Sequence, residues 1–478
     1  MKFFTRLTPA LLCCLLTISC ASQAVKSAGG RSVSPSVVAD SSDMAMESHP
    51  AATDSCAAAI DTPIVSVAEA PATIDSVPVP DSVESGVAAD TAALDSTLVA
   101  AAAADTALVA DSSAQPAETE IPAAALSDTT AQPTNPLALR YNGIYLNSGA
   151  IARDDLMEKY IARAKQYGIG GFVMDMKDDR GYLSWRSEHP VAKKIGSGTG
   201  RLSDPSALVK RLHDNGLVAC ARVVTFKDPK LSEYIENGAY PFAVLDSSTG
   251  FPWKQNNGET WANMKDESVH EYIVSIIAEL VAFGFDQIQL DYIRFPSDGP
   301  TELCYYPVAI DSLNKAEIIG LLLSKVRSVI DTADVSLAAD VFGWVPWLKA
   351  DRSYWIGQDY DEIARWTDVI CPMLYSSHFP DEFKQDYGHL RAYNIILEGT
   401  RKAAARGGKR NTGAQPYIQS FNYKSPYYGE DYLVQQMQAA IDGGGVGWLA
   451  WNARSDYSML WKALEKIASD SQSEPENE

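Results

Sequence analysis

The feature that most constrains this chain is a repeated alternation. Between residues 137 and 467, short apolar runs take turns with stretches of helical spacing. The strand-like runs are 143–147, 171–177, 217–224, 286–294, 334–342, 368–375, 413–421 and 445–452, and the clearest helical stretches are 153–167, 205–215, 267–283, 316–331 and 432–442. Several helices pass into the next strand through glycine, at Gly168, Gly170, Gly216 and Gly284, where a left-handed residue is the usual stop. Strand and helix in alternation predict a parallel sheet. Eight such units predict a single closed TIM (β/α)8 barrel. An open doubly wound sheet is the weaker alternative, because no Gly-x-Gly-x-x-Gly follows the first strand.

The first 136 residues are of another kind. Lys2 and Arg6 precede an apolar stretch, 7–18, that is too short for a stable membrane span. The segment reaches Cys20 followed by Ala and Ser, which resembles a bacterial lipoprotein signal with Cys20 as the lipidated residue, although Thr17 stands where that pattern favours Leu. The alternative is an ordinary secretory signal peptide, and either one predicts export. Residues 21–136 hold 16 acidic residues against Lys26 and Arg31, so they carry two thirds of the net charge of −21. Without Phe, Tyr or Trp, this stretch cannot bury enough surface to offset its ordering entropy, and it is expected to be a disordered, self-repelling tether. Its Asp-Ser/Thr units, such as Asp75-Ser76-Val77 and Asp90-Thr91-Ala92, either resemble O-glycosylation sites of bacterial envelope proteins or are plain low complexity. Residues 468–478 read as an acidic, frayed tail. The predicted location is the cell envelope, as an outer-membrane-anchored lipoprotein that meets the membrane only through its lipid.

The acidic balance argues against nucleic-acid partners. Only Cys220, Cys304 and Cys371 fall within the barrel, with no CxxC, HxH or HExxH. Free thiols are therefore expected, with no metal and no cofactor. A monomer is the expected state.

Side-chain parity along the strands predicts where chemistry collects, since alternate residues face opposite ways. In the fourth strand Asp286, Ile288, Leu290 and Tyr292 share the helix-facing side, which turns Gln289 and Asp291 inward. The same reading turns inward Tyr145 and Asn147 of the first strand, Asp175 and Lys177 of the second and Asp340 of the fifth. Tyr375 of the sixth, Gln415, Tyr417 and Gln419 of the seventh and Asn452 of the eighth complete the set. Strand neighbours lie about 4.8 Å apart, and a retaining glycosidase needs two carboxyl groups about 5–5.5 Å apart. Asp291 and Asp340 meet that need if level, with Asp175 in support. The competing reading makes these acids ion-pair partners of Lys177, Arg222 or Arg294. The long connection 226–266 carries Trp253 and Trp261, and other strand ends carry Trp344, Trp347, Trp448 and Trp451. Each is either core or a platform for a sugar ring.

The run from Gly284 to Pro296, centred on Gln289-Leu290-Asp291-Tyr292, resembles the signature of a bacterial family of glycoside-hydrolase-like (β/α)8 barrels. That family is related to the α-amylase-like and α-galactosidase-like hydrolases. Tyr141–Leu146, Asp175–Asp178, Ala339–Gly343 and Cys371–Phe379 resemble further parts of it. The resemblance covers essentially all of 140–455. It implies a glycoside hydrolase acting on carbohydrate, with Asp291 as nucleophile. Related barrels often place the acid/base as Glu after the fifth strand or Asp after the sixth; here the fifth strand offers Asp340, and Tyr375-Ser376-Ser377-His378 holds no acid. Asp340 is therefore the expected acid/base. Arg222, Arg294, Tyr375 and His378 are expected to line the site. A sugar-binding barrel without turnover and a structural envelope protein are the rival classes.

Overall fold

The computed structural model describes residues 138–307, 310–349 and 355–473. The signal segment with Cys20, the tether and residues 474–478 lie outside the described residues. Eight strands run in parallel: β1 (Gly143–Leu146), β2 (Gly171–Lys177), β3 (Val218–Val224), β4 (Gln287–Asp291), β5 (Ser336–Phe342), β6 (Val369–Met373), β7 (Tyr417–Gln419) and β8 (Leu449–Trp451). Each pairs with the next, β8 pairs with β1, and Tyr417 beside Met373 joins β7 to β6, so the sheet closes on itself. The barrel is a TIM (β/α)8 barrel. Its seventh strand is broken: Gly413–Ala414 pairs with β6 first, and Pro416, which has no N–H to donate, separates it from Tyr417.

The helices outside the ring are α1 (Asp154–Tyr167), α2 (Pro205–His213), α3 (Glu267–Ala282), α4 (Lys315–Ile330), α5 (Tyr360–Ile363), α6 (Arg391–Gly407), α7 (Glu430–Asp442) and α8 (Ser458–Ser473). Their starts follow local chemistry. Asp204 accepts from the Ala207 N–H before Pro205 opens α2, Asp266 caps α3, and Asn314 with Glu317 forms a capping box on α4. Gly168, Gly216 and Gly284 lie at φ 69, 70 and 92° where three helices give way to strands, as their spacing predicts. Helix α8 runs on to Ser473, past the expected domain boundary at 467.

Ile288, Leu290, Phe172, Met174, Leu337 and Ala339 pack outward into the main apolar core beneath the helices. Val173, Cys220, Ala338, Cys371 and Tyr417 form a separate cluster inside the ring. The parity argument therefore holds through the regular part of each strand. Cys220 and Cys371 are buried free thiols and Cys304 is half-buried.

The connection from β3 to α3 departs most from expectation. Leu245–Asp246 pairs antiparallel with Cys304–Tyr305 from the loop after β4. Beneath them Trp253 and Trp261 are fully buried, their indole N–H groups donating to Pro300 O (2.9 Å) and Gln255 Oε1 (3.0 Å). Both tryptophans, together with the buried Trp448, are core and offer no sugar platform. A connection this long builds its own small core, and the largest apolar rings go into it.

Candidate active site

Strand alternation brings residues from all eight strands to the C-terminal mouth of the barrel, where catalytic groups of this fold sit. At the centre is Arg222, projecting inward from an otherwise apolar β3. Its guanidinium pairs with Asp175 of β2 on one side and with Asp291 of β4 on the other, Nη2 lying 2.5 Å and Nε 3.1 Å from Asp291 Oδ2. The second oxygen of Asp175 accepts from the Tyr145 hydroxyl. The second oxygen of Asp291 accepts from the Tyr292 N–H at 2.6 Å. Trp451 of β8 stacks on Tyr145 at 3.9 Å, and the guanidinium lies 5.1 Å from the Trp451 ring. Both oxygens of each carboxylate are thus held, which fixes their orientation.

Asp340 completes the acidic cluster. Leu290 pairs with Ala339 across β4 and β5, so the residues that follow, Asp291 and Asp340, come level at the rim. Gln289 donates to Asp340 Oδ1 at 2.6 Å, and Gln289 in turn accepts from the Tyr417 hydroxyl at 3.3 Å. The Asp340 side chain is only 1% exposed. Burial, and then the Asp291 charge beside it, push its carboxyl well above the usual carboxylate range.

Burial also dominates at Asp175, pushing its carboxyl up to about 6 against the lowering effects of Arg222 and Tyr145. Because this folded value lies above the unfolded one, the stabilisation is complete below the unfolded pKa and is lost as pH rises through about 6. Asp175→Asn removes that dependence. Relative to wild type, the variant should gain roughly 3 kcal/mol between pH 3 and pH 7, at about 1.4 kcal/mol per unit. Urea unfolding at several pH values measures this, and a constant offset between the two proteins would contradict it.

The other expected site residues divide. Tyr375 and His378 reach the mouth, where Tyr375 lies 5.3 Å from the His378 ring. Lys177 turns away: it is fully buried, pairs with Asp228 at 2.8 Å and donates to Val224 O at 2.6 Å. A register shift in β2 between Asp175 and Lys177 accompanies that turn. Arg294 packs its guanidinium over Trp261, Tyr292 and Phe342, at 4.8, 5.1 and 4.5 Å. Asn147 caps the short helix Ser148–Ile151, and Asn452 ties its turn to Ser420 O. Gln419 links the β6 and β7 loops, accepting from the Ser377 N–H and donating to Ser425 Oγ. Trp344 joins Trp347, Phe379 and Phe383 in an aromatic cluster beside the mouth.

Alternation places Tyr292 on the helix side, and there it packs against the main apolar core. Its backbone is irregular, however, with φ 50°, a left-handed conformation rare for a bulky residue and one that costs of order 1–3 kcal/mol. The turn carries its N–H back onto Asp291, and its ring packs 4.7 Å from Lys227 Nζ. Composition holds no signal for this; only Gly or Asn would have announced it.

Among curated proteins none matches this chain. Solved structures do. A hypothetical protein from Ruminiclostridium thermocellum ATCC 27405 is 31% identical over 41% of this chain and 97% of its own, with a TM-score of 0.37. The PgaB (BpsB) glycoside hydrolase domain from Bordetella bronchiseptica shares the barrel fold at 14% identity, over 69% of this chain and 98% of its own, with a TM-score of 0.52. A family model described as "Putative glycosyl hydrolase domain" matches residues 143–457, which takes in every strand of the barrel and every acid of the mouth. The chain belongs to that glycosyl hydrolase family.

Proposed function

We propose that this protein hydrolyses glycosidic bonds of a polysaccharide or envelope glycan with retention at the anomeric carbon. The observation that carries the reading is the asymmetry of two level carboxyl groups. Asp291 is ion-paired with Arg222, while Asp340 is desolvated and driven toward its protonated form. One ionised and one protonated carboxyl side by side are what this reaction needs.

The Asp291 carboxylate attacks the anomeric carbon as the glycosidic C–O bond breaks and the Asp340 proton passes to the leaving oxygen. Water then adds to the same carbon, gives its proton to Asp340 and releases Asp291. Asp175 and Tyr145 hold Arg222, and through it Asp291, in place. The exposed part of Trp451 is the candidate sugar platform, with Tyr375 and His378 at the far wall. Incubation with a panel of polysaccharides and proton NMR of fresh products tests the scheme. The first-formed sugar should carry the substrate's anomeric configuration, and the inverted anomer would exclude Asp291 as a covalent nucleophile.

A second reading has one observation in its favour. With Asp340 1% exposed and bonded to Gln289, the barrel could hold a glycan without cleaving it. Binding to a polysaccharide that is never shortened would select this reading. An outer-membrane location, a lipid anchor on Cys20 and a monomeric state remain part of the proposal, drawn from the sequence.

A further inference from the structure

Next to the carboxyl cluster, between the ends of β5 and β6, lies a small pocket walled by the carbon surfaces of Phe342, Trp344, Met373 and Phe379. The wall is fixed: Trp344 and Phe379 ring centroids are 4.6 Å apart, and Phe383 backs Trp344 at 4.7 Å. Two polar tips interrupt it, Tyr375 and His378. Tyr375 is 5% exposed, yet its hydroxyl hydrogen-bonds to no other described residue. Burial, then the neighbouring carboxyl groups of Asp340 and Asp291, hold that phenol protonated, well above its ordinary range. His378 meets Ser377 Oγ through Nδ1 at 2.9 Å. Burial lowers its imidazole to about 4, so the ring is neutral, and Nε2 donates or accepts according to the tautomer set at Nδ1. The Trp344 indole N–H is a further buried donor with no partner among the described residues.

These facts restrict which sugar can sit on the carboxyl groups. An ordinary hexose carries hydroxyl groups around its ring and on C6. Pressing one against Phe342, Met373 and Phe379 would strip its water without replacement. A 6-deoxy sugar would offer a methyl group to the wall, but the carbon next to that methyl carries no carbonyl or N–H for the Tyr375 hydroxyl and His378. An acetamido group satisfies both parts, with a methyl for the carbon wall and a carbonyl and an N–H for the two tips.

Resting on the hydrolase reading, we propose that this pocket takes the acetamido group of an N-acetylated hexosamine, seated at the sugar position served by Asp291 and Asp340. The substrate class is then a glycan containing N-acetylhexosamine. The Tyr375 hydroxyl donates to the acetamido oxygen, and His378 Nε2 meets the amide N–H.

Binding tests this without turnover. The full chain is titrated with N-acetylglucosamine, N-acetylgalactosamine and N-acetylmannosamine, and in parallel with glucose, glucosamine and L-fucose, by saturation-transfer NMR. At least one acetylated sugar should bind about tenfold or more tightly than its hexose and amine counterparts, with the strongest saturation on the acetyl methyl. Tyr375→Phe keeps the ring and the wall but loses the hydroxyl. It should weaken that sugar by about three- to tenfold and leave the melting temperature unchanged. Equal binding of hexose and acetylated sugar, preference for fucose, or a Tyr375→Phe variant that binds N-acetylhexosamine as wild type does would each overturn the assignment. Hydrolysis of a glycan that lacks acetamido groups would overturn it while leaving the hydrolase reading intact. Failure of every sugar and every polysaccharide to bind would remove both.

Discussion

Asp291→Asn should reduce kcat on any glycan the wild type cleaves by roughly 10⁴-fold or more, because an amide cannot form the covalent intermediate. The substitution keeps the side-chain volume, and its Oδ1 can still accept from the Tyr292 N–H, so folding should survive. Asp340→Asn should behave differently. It removes the proton donor, worth about 10²–10⁴-fold, and that deficit should shrink on substrates whose leaving group departs without protonation, such as an activated aryl glycoside. A burst of aryl product followed by slow turnover would place the Asp340 defect in the second step as well. The two variants therefore separate the roles by substrate dependence rather than by size of effect. Equal losses on natural and activated substrates would deny Asp340 the acid role. If Asp175→Asn instead showed the leaving-group dependence, that role would pass to Asp175, whose carboxyl is pushed up to about 6. Activity in both Asp291→Asn and Asp340→Asn equal to wild type would end the scheme.

How far this site could be read from sequence depended on whether the backbone stayed regular. Inside β4 and β5 alternation is strict, so the inward placement of Gln289, Asp291 and Asp340 was legible from the apolar partners Ile288, Leu290, Leu337 and Ala339. Arg222 had a signal too, as one charged residue in an apolar strand, though the sequence could offer only a choice of partners. Where strands end, the reading fails. The register shift before Lys177 accompanies a side chain that leaves the mouth, and the left-handed turn at Tyr292 brings its N–H onto Asp291; neither leaves a mark in composition. Helix α6 had no start signal either: no side chain caps it at Leu390, and a kinked turn at Gly388 precedes it. Trp253 and Trp261 were ambiguous for a different reason. A tryptophan near a barrel mouth serves equally as platform or as core, and only the antiparallel pairing of two distant loops decides for core.

Arg222→Met should cost about 3–5 kcal/mol at neutral pH, the usual loss when one member of a buried ion pair is removed. Arg222 is 4% exposed and lies between Asp175 and Asp291, themselves 5% exposed. Methionine fills much of the same volume and still packs against Tyr145 and Trp451, so the loss would come mainly from charge. The remaining carboxylates, with Asp340 close by, would face one another in a poorly solvated barrel with no cation between them. They would bind protons in the folded state more readily than in the unfolded chain. Stability of the variant should therefore fall further behind wild type as pH rises from 5 to 8, and recover toward it as pH drops to 4. Adding Asp175→Asn to Arg222→Met removes one of the stranded charges. It should return more than the roughly 3 kcal/mol that the same change gains in the wild-type background between pH 3 and pH 7, because no cation then offsets that charge. Chemical unfolding of the four proteins forms a double-mutant cycle. A coupling below about 0.5 kcal/mol, or a loss that ignores pH, would mean that water reaches these acids freely. A protonated Asp340 beside the Arg222-paired Asp291 would then have no physical basis, since it requires the same dry environment that makes Arg222 indispensable.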